Sequence, residues 1–311
     1  MTGDAVGQRA PQVVLAGALD TKGAEYAFVR DRLAAAGIRS LLVDTGILGS
    51  PTITPDVDRA TVAAAADADL DALVKAADRN DAVVSMARGA AAVIRALYDD
   101  GKVSAVIVLG GSNAGFVMNQ VAAVLLIGCP KILVSTIVAG DTRPYVGTSD
   151  LTMMYPVVDI AGLNSVSLQV LARAADACAG MVTGPPVPAS RPGVRSIACS
   201  MFGVTTTCVT ALHDALVAAG DEVQVFHANG TGGRTLEAMI DSGFFAAVAD
   251  ITTTELADEL LGGVCSAGTR RLEAAARQGI PQVVSVGAMD MVNFGSPDTV
   301  PARFDGRLFH P

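Results

Sequence analysis

The chain has 311 residues, more than the ~250–300 that one hydrophobic core usually serves, so its length predicts two domains. Hydrophobic residues make up 51% of it and charged residues 17%, which excludes a disordered chain and is typical of parallel sheets buried on both faces. The formal net charge is −9 with only 22 Lys and Arg, so we expect no nucleic-acid or anionic-lipid surface.

In the first half of the chain, apolar runs alternate with Ala-rich amphipathic segments, as in the repeated strand–helix units of a parallel sheet. This alternation predicts strands near 13–16, 40–43, 82–85, 105–109 and 132–134. It predicts helices over 24–36, 59–78, 89–99 and 115–126. The uncharged stretch 103–130 is interrupted by Gly, Ser, Asn, Gln and Pro residues, which argues against a membrane span.

A proline-rich stretch then divides the chain, since four of the 14 prolines fall within residues 182–192. Beyond it the rhythm resumes, with strands expected near 196–200, 222–226, 246–249 and 282–286. We therefore expect an α/β protein with two Rossmann-like domains, each a mostly parallel sheet flanked by helices. The predicted domains are residues 1–184 and 193–311, joined by a Pro-rich linker over 185–192.

The N-terminal segment and the cysteines predict the cellular compartment of the protein. Its first eleven residues lack the charged-then-apolar pattern of a secretory signal. The five cysteines are an odd number without CxxC spacing, and no Cys/His cluster has the spacing of a zinc site. Together these features predict a protein of the reducing cytoplasm.

The turn after the first predicted strand, residues 17–25, combines small residues, a carboxylate, a hydroxyl and a cation. In parallel sheets such turns lie where helix amides and the positive end of the helix dipole bind anions. It is not a Walker A loop, because its lysine precedes the glycine. Lys22 suits a phosphate, Thr21 can donate its hydroxyl, and Asp20 suits a magnesium ion or a ribose. The alternative is that Asp20 or Thr21 only caps the helix.

Two further turns have the same character. The turn over 109–115 is rich in glycines, which let backbone amides approach an anion; it lacks the GxSxG pattern of serine hydrolases, and a tight structural turn is the alternative. The polar loop 135–150 is long enough to indicate a function, and its Asp141 suits a hydrated magnesium ion. Arg88 opens another predicted helix at the same edge, where it can instead pair with a surface acid such as Asp81.

Several motifs in fixed order resemble the Tm-1-like ATP-binding family, which includes uncharacterised bacterial proteins and a plant antiviral resistance protein. In the first domain the resemblance rests on ALDTKGAE at 18–25, RGA at 88–90, LGGS at 109–112, VST at 134–136 and GDTRPYVGTSD at 140–150. In the second it rests on MFGVTT at 201–206, GTGG at 230–233, TTTELADE at 252–259 and MDMVNF at 289–294. The resemblance thus covers nearly the whole chain.

This resemblance implies two α/β domains, with ATP and magnesium bound by the first, and a plant relative that binds a viral replication protein. No catalysis is implied. Carried over position by position, the nucleotide-binding residues are Asp20, Thr21, Lys22, Gly23, Arg88, Gly110, Gly111, Ser112, Thr136, Gly140, Asp141 and Thr142. Asp20 and Asp141 would meet the nucleotide-bound magnesium. Relatives of this kind also suggest a homodimer.

The chain departs from the family pattern in two places. Family members tend to read Gly-Gly-Ser-Gly-Gly-Thr where this sequence has Asn113, Ala114 and Gly115 in the last three positions, which predicts a weaker nucleotide site. Relatives also run on beyond the segment that corresponds to residue 310. We therefore expect the final strands of the second domain to be missing.

The turns of the second domain mirror those of the first and predict a second site for a small carboxylate or phosphate. The candidate residues are Thr205, Thr206, Gly230, Thr231, Gly232 and Gly233, and His227 at a strand end is the candidate acid–base. Three functions stay open: an ATP-dependent enzyme acting on a small acid in the interdomain cleft, a nucleotide-gated binding protein, and a metabolite hydrolase that does not use ATP. We favour ATP binding without assigning turnover.

Overall fold

The computed structural model describes residues 11–76, 79–185 and 193–309, so the predicted linker lies outside the described residues from position 186 to 192. The chain divides into two compact units between residues 186 and 187. The first unit contains β1 (Gln12–Gly17), α1 (Leu19–Ala35), β2 (Arg39–Asp44), α2 (Arg59–Ala64), α3 (Leu70–Ala76), α4 (Arg79–Asp99), β3 (Ala105–Gly110), α5 (Ser112–Val124), β4 (Lys131–Ser135), α6 (Arg143–Val146), β5 (Thr152–Met154) and α7 (Ser165–Thr183). The second contains β6 (Ser196–Met201), α8 (Thr206–Ala218), β7 (Glu222–His227), α9 (Thr231–Asp241), β8 (Ala247–Thr252), α10 (Thr254–Leu261), α11 (Ala274–Gln278) and β9 (Gln282–Gly287).

The first unit is a three-layer sandwich around a parallel sheet with the strand order β2-β1-β3-β4-β5. Successive residues of its strands are buried on opposite faces: Val14 and Val106 pack under α4 and α5, whereas Leu15 and Ile107 pack under α1 and α7. Strands covered on both sides need continuous apolar runs, and β1, β2, β3 and β4 each contain one of the strands predicted from such a run. β2 lies on one side of β1 and β3 lies on the other. The order in which strands are added to the sheet therefore reverses between β1 and β3, although all strands are parallel.

The second unit repeats this plan with four parallel strands in the order β7-β6-β8-β9. Helices α9 and α11 cover one face, where Leu236, Ile240 and Ala274 are buried, and α8 covers the other through Val209. The predicted fold class, two α/β domains with parallel sheets flanked by helices, is confirmed.

Two predictions for the first unit were wrong. The predicted strand 82–85 lies inside α4, because Ala82, Met86, Ala90 and Ile94 recur every four residues and are all buried on one side of a helix. The predicted single helix 59–78 is interrupted: α2 ends at Ala64, α3 begins at Leu70, and Asp67 between them adopts a left-handed φ of 56°. Residue 78, its predicted end, lies outside the described residues.

Candidate functional site

A cavity of about 300 Å³ opens at the carboxyl edge of the first sheet, where β1 and β3 separate. It is lined by the turns after β1 and β3, by the loop after β2 (residues 45–48), by one side of α4 and by Asp159. Ligands of open α/β sheets bind at such a reversal of strand order. Six predicted residues line this one cavity: Asp20, Thr21, Lys22, Gly110, Gly111 and Ser112.

The hydroxyl of Tyr26 holds the strands that form the cavity floor. It donates to the carbonyl of Ala16 on β1 (2.5 Å) and accepts from the N–H of Leu109 on β3 (2.9 Å). It thus bridges the strands just past their last paired residues, Ala16 and Val108. A Cβ at Gly17 would lie 1.9 Å from this hydroxyl oxygen, so position 17 must be glycine. The sequence interpretation missed Tyr26.

The first residues of α5 line the cavity, and no side chain of the described residues accepts a hydrogen bond from their backbone N–H groups. Gly111 is the N-cap residue, no side chain caps the helix, and its first turn contains no acid. The first amides of an α-helix have no partner within the helix and carry the positive end of its dipole. Gly110 adopts a φ of 145°, which requires glycine, and Ser135 Oγ fixes the turn by donating to the Gly111 carbonyl at 3.0 Å.

Asp20 lines the same cavity, and one of its two carboxylate oxygens has no hydrogen-bond partner among the described residues. Its side chain is only 3% exposed, and Oδ2 accepts the N–H groups of Leu48 (2.8 Å) and Gly49 (3.1 Å). Oδ1 is buried and has no hydrogen-bond partner among the described residues. Asp20 therefore does not cap α1, and neither does Thr21, whose hydroxyl donates back to the Ala18 carbonyl at 3.4 Å.

The first turn of α1 is instead satisfied by Asp44, at the end of β2. This fully buried carboxylate accepts from the N–H groups of Leu19 (3.1 Å) and Gly46 (2.9 Å) and pairs with Arg59 Nε at 2.8 Å. These bonds fix the loop after β2 against the start of α1. The sequence placed Asp44 directly after a strand, but nothing local indicated which amides it would bind.

Lys22 lies at a kink in α1, with a φ of −126°, and its Nζ donates to the Ile160 carbonyl. The segment after β5 therefore reaches the cavity, and it brings Asp159 to the cavity lining. The same segment is fixed by Glu25, a buried carboxylate that accepts the Gly162 N–H at 2.8 Å. Asp159 lines the cavity together with Asp20, and the sequence interpretation missed it.

The other residues predicted to bind the nucleotide lie outside the lining of this cavity. Gly23 is needed for packing, since a Cβ there would lie 1.9 Å from Thr52 Oγ1. The prediction that Arg88 opens a helix was wrong: it lies in the middle of α4 with an exposed side chain. The remaining four belong to the loop after β4: Thr136, Gly140, Asp141 and Thr142.

In the second unit, the predicted anion-binding amides bind a carboxylate of the chain itself. The N–H groups of Gly230 and Gly233 donate to Glu255 Oε1 at 2.7 and 3.0 Å, and this side chain is fully buried. Glu255 Oε2 accepts from Arg271 Nε at 2.7 Å, and Arg271 also pairs with Asp250. Burial opposes the charge of Arg271, but these carboxylates raise its pKa above the ordinary value, so Arg271 stays charged.

The two candidate threonines at the start of α8 also bond to groups of the chain. Thr205 Oγ1 accepts the Phe202 N–H (2.9 Å) and bonds Thr252 Oγ1 (2.7 Å), while Thr206 Oγ1 donates to the Gly203 carbonyl (2.8 Å). Thr231 opens α9, and a Cβ at Gly232 would lie 1.9 Å from the His227 carbonyl oxygen. Several donors that the sequence assigned to a second ligand thus bond within the chain, and the second site stays a prediction.

His227, the candidate acid–base, is exposed, and its ring stacks on Phe202 with the ring centroids 5.2 Å apart. Within the described ranges, no group of three or more His, Cys, Asp or Glu residues is placed to hold a metal ion. Of the helices that the structure describes, none combines the length and apolarity needed to cross a membrane.

Comparison with known proteins identifies relatives along the whole chain. The profile described as "Uncharacterised protein family (UPF0261) N-terminal domain" matches residues 11–186, and that of the corresponding C-terminal domain matches residues 195–311. A UPF0261 protein of Clostridium tetani is 44% identical over 95% of this chain and 73% of its own length. One from Mesorhizobium japonicum is 45% identical over 96% of this chain and 74% of its own length.

The plant relative implied by the motifs is also found. The ToMV resistance protein Tm-1 of Solanum lycopersicum is 42% identical over 75% of this chain and 31% of its own length. Among solved structures, the UDP-N-acetylglucosamine 2-epimerase of Rickettsia bellii aligns over 88% of this chain and 78% of that one, with 10% identity and a TM-score of 0.32, too low to bear on function. The resemblance to Tm-1-like proteins is confirmed, and the chain belongs to the uncharacterised protein family UPF0261.

Proposed function

We propose that the first unit binds ATP as its magnesium complex, with the phosphates at the N-terminus of α5. One observation carries this proposal: a single cavity combines an uncapped helix N-terminus, the ammonium group of Lys22 and an unpartnered buried oxygen of Asp20. Backbone donors with a helix dipole attract an anion, and an unsatisfied buried acceptor indicates a missing donor. Nucleotides supply both kinds of group.

Phosphate contact at α5 requires little rearrangement. A ligand oxygen at the start of α5 meets free amides rather than a capping carboxylate, because no side chain caps this helix. Lys22 would exchange the neutral Ile160 carbonyl for a phosphate oxygen, and hydrogen bonds between charged groups are the stronger ones. The apolar wall of Ile47, Met86 and Val117 suits the flat base of the nucleotide.

Magnesium belongs to the proposal through the phosphates. Of the two carboxylates predicted to meet it, Asp20 lies in the cavity lining, and Asp141 lies outside it. Mg²⁺ typically keeps several waters and binds phosphate oxygens with one or two carboxylates at most, so a cavity with few acids is compatible with it. When bound, the ion would neutralise phosphate charge that Lys22 alone cannot balance.

ATP turnover is not part of this proposal. His227 is exposed and stacks on Phe202, and neither feature favours the hydrolase alternative. A homodimer, a cytoplasmic location and a small-acid cosubstrate stay predictions of the sequence.

The proposal is tested by calorimetric titration with ATP, with and without magnesium. Wild-type protein should bind, Lys22→Ala should bind markedly more weakly, and Gly111→Asp should not bind, because its carboxylate would occupy the α5 amides. Gly111→Ala is the uncharged control. A Cβ at position 111 would lie 4.0 Å from Thr136 Oγ1, so the first side-chain atom of both substitutions fits. Equal ATP affinity in wild type and Gly111→Asp would show that the phosphates bind elsewhere.

A further inference from the structure

We propose that Asp20 recognises the sugar of the bound nucleotide: its Oδ1 accepts a hydrogen bond from a ribose hydroxyl and makes the site selective for ribonucleotides. This inference rests on the proposed function and adds to it the group that Asp20 meets. It is carried by the hydrogen bonds of the two Asp20 oxygens, by the position of Asp20 at the carboxyl edge of the sheet and by the charges around it.

The two oxygens of Asp20 have different roles. Oδ2 accepts two backbone N–H groups, from Leu48 and Gly49, and these bonds fix the orientation of the carboxylate. Oδ1 is then held rigidly, buried and without a partner, in a side chain that is 97% removed from solvent. A buried carboxylate oxygen without a hydrogen bond is costly, so its environment requires a donor that the described protein does not supply.

The position of Asp20 matches the sugar rather than the phosphates. Its contacts are with the loop after β2: besides the two amides, its carboxylate atoms lie 2.6–2.7 Å from where a Cβ of Gly46 would stand. Asp20 follows β1 and its carboxylate contacts the loop after β2, whereas the α5 turn follows β3 on the other side of β1. A nucleotide with its phosphates at α5 would extend its sugar toward the loop after β2.

The charges near Asp20 favour a neutral donor over a metal ion. Arg59 Nη1 lies 3.8 Å from Asp20 Oδ2, and its positive charge opposes a cation at this carboxylate. In the ranges that the structure describes, Asp20 belongs to no group of three metal-ligating side chains. A sugar hydroxyl needs only one acceptor, which Oδ1 provides.

Asp44 holds the position after the second strand from which a carboxylate commonly binds a ribose. In dinucleotide-binding folds a carboxylate that follows the second strand accepts the ribose hydroxyl. Here that carboxylate is already satisfied by Leu19, Gly46 and Arg59. Asp20, held against the same loop, has the free oxygen, so the acceptor has moved from the end of β2 to the start of α1.

Asp20→Asn isolates this oxygen. The asparagine must keep its carbonyl oxygen toward the amides of Leu48 and Gly49, so its NH₂ group replaces Oδ1 at the cavity and turns an acceptor into a donor. Titrations compare ATP, 2′,3′-dideoxy-ATP and tripolyphosphate, each with and without magnesium. Wild type should bind ATP about 10- to 100-fold more tightly than the dideoxy form, the usual range for a hydrogen bond to a charged group.

In Asp20→Asn this preference should fall markedly, because the amide can offer the ribose hydroxyl only a weaker, uncharged hydrogen bond, while tripolyphosphate binds as it does in wild type. Asp31→Asn, which removes the same charge from an exposed position of the same helix outside the cavity, should keep the preference. Wild type that binds both nucleotides equally would overturn the inference and leave the proposed function intact. A magnesium-dependent loss of tripolyphosphate affinity in Asp20→Asn would also overturn it and identify a metal ligand. Wild type that binds none of the three probes would overturn the proposed function together with the inference.

Discussion

The turns before α5 and α9 look alike in sequence and differ in what they bind. Both follow a parallel strand, both are rich in glycine, and neither helix has a side-chain cap at its N-cap residue. Before α9, the amides of Gly230 and Gly233 donate to the buried carboxylate of Glu255. Before α5, no carboxylate of the chain takes that place in the part that the structure describes, and a cavity opens instead.

This difference shows that a glycine-rich turn provides donors but does not by itself make a ligand site. The donors are backbone groups at a helix N-terminus, and any anion satisfies them. In the second unit that anion is internal, balanced by Arg271, and stabilises the fold. In the first unit we propose that it is a phosphate. Substitutions that remove the supporting groups of one turn, or that give one turn the carboxylate of the other, test this difference.

The largest effect is expected from removing the cation of the closed turn. Arg271→Met leaves the buried carboxylates of Asp250 and Glu255 without their shared partner and should destabilise the second unit by about 3–5 kcal/mol. Urea denaturation followed by circular dichroism measures this cost. Arg277→Met, which removes a partly exposed pair with Asp241, is the matched control and should cost at most about 1 kcal/mol. Equal costs would mean that the buried cluster does not stabilise the unit.

Removing the internal anion should open the second turn. Glu255→Ala frees the amides of Gly230 and Gly233 and one side of Arg271, at an expected cost of about 2–4 kcal/mol. Sulfate, compared with chloride at equal ionic strength, should recover part of this loss in thermal unfolding because it can replace the carboxylate. The exposed Glu259→Ala on the same helix is the control. No extra sulfate effect in Glu255→Ala would contradict the view that the turn is an occupied anion site.

Most of the fold was predictable, because strands of a parallel sheet buried on both faces must be apolar throughout. Val13–Ala16 and Ala105–Leu109 meet that requirement, and each lies in an observed strand. The stretch 82–85 looked the same over four residues, but it lies in a helix whose buried positions become visible only over four turns. Short apolar runs do not distinguish a strand from a buried helix.

The site was predictable as a set of turns, but not as a set of contacts. Local motifs placed Asp20, Lys22 and Gly111 at one edge of the sheet, which follows from the direction of parallel strands. Glu255 lies 25 and 22 positions beyond the amides whose hydrogen bonds it accepts, a separation that no local motif spans. A carboxylate from the end of another strand closes one of these turns and not the other. Tertiary packing decides this, and the spacing of residues in the sequence does not reveal it.

A smaller effect is expected where a hydroxyl bridges the central strands in each unit. Tyr26→Phe leaves the Ala16 carbonyl and the Leu109 N–H unpaired and should cost about 1–3 kcal/mol in urea denaturation. Ser200 Oγ bonds both the N–H and the carbonyl of Thr252 between β6 and β8, so Ser200→Ala should cost a similar amount. Only Tyr26→Phe should weaken ATP binding, because only that bridge supports the cavity. Equal ATP affinities in the two variants would contradict this role.

The smallest effect on stability is expected from closing the open turn. Gly111→Asp supplies α5 with the carboxylate that α9 already has, and a carboxylate at an N-cap should raise the free energy of unfolding by a few tenths of a kcal/mol up to about 1 kcal/mol. Gly111→Ala, which adds a methyl group without an acceptor, should lower it slightly. Chemical denaturation of the two variants beside wild type measures the difference.

The pH dependence of this gain identifies its cause. Hydrogen bonds from the α5 amides would lower the pKa of the introduced carboxyl below its unfolded value of about 3.9, so the gain should be complete well above that pH and should vanish as the pH falls through the folded pKa. A gain that persists at low pH would come from the loss of glycine flexibility instead. If the variant is more stable at neutral pH and no longer binds ATP, its loss of binding reflects an occupied anion site rather than a damaged fold.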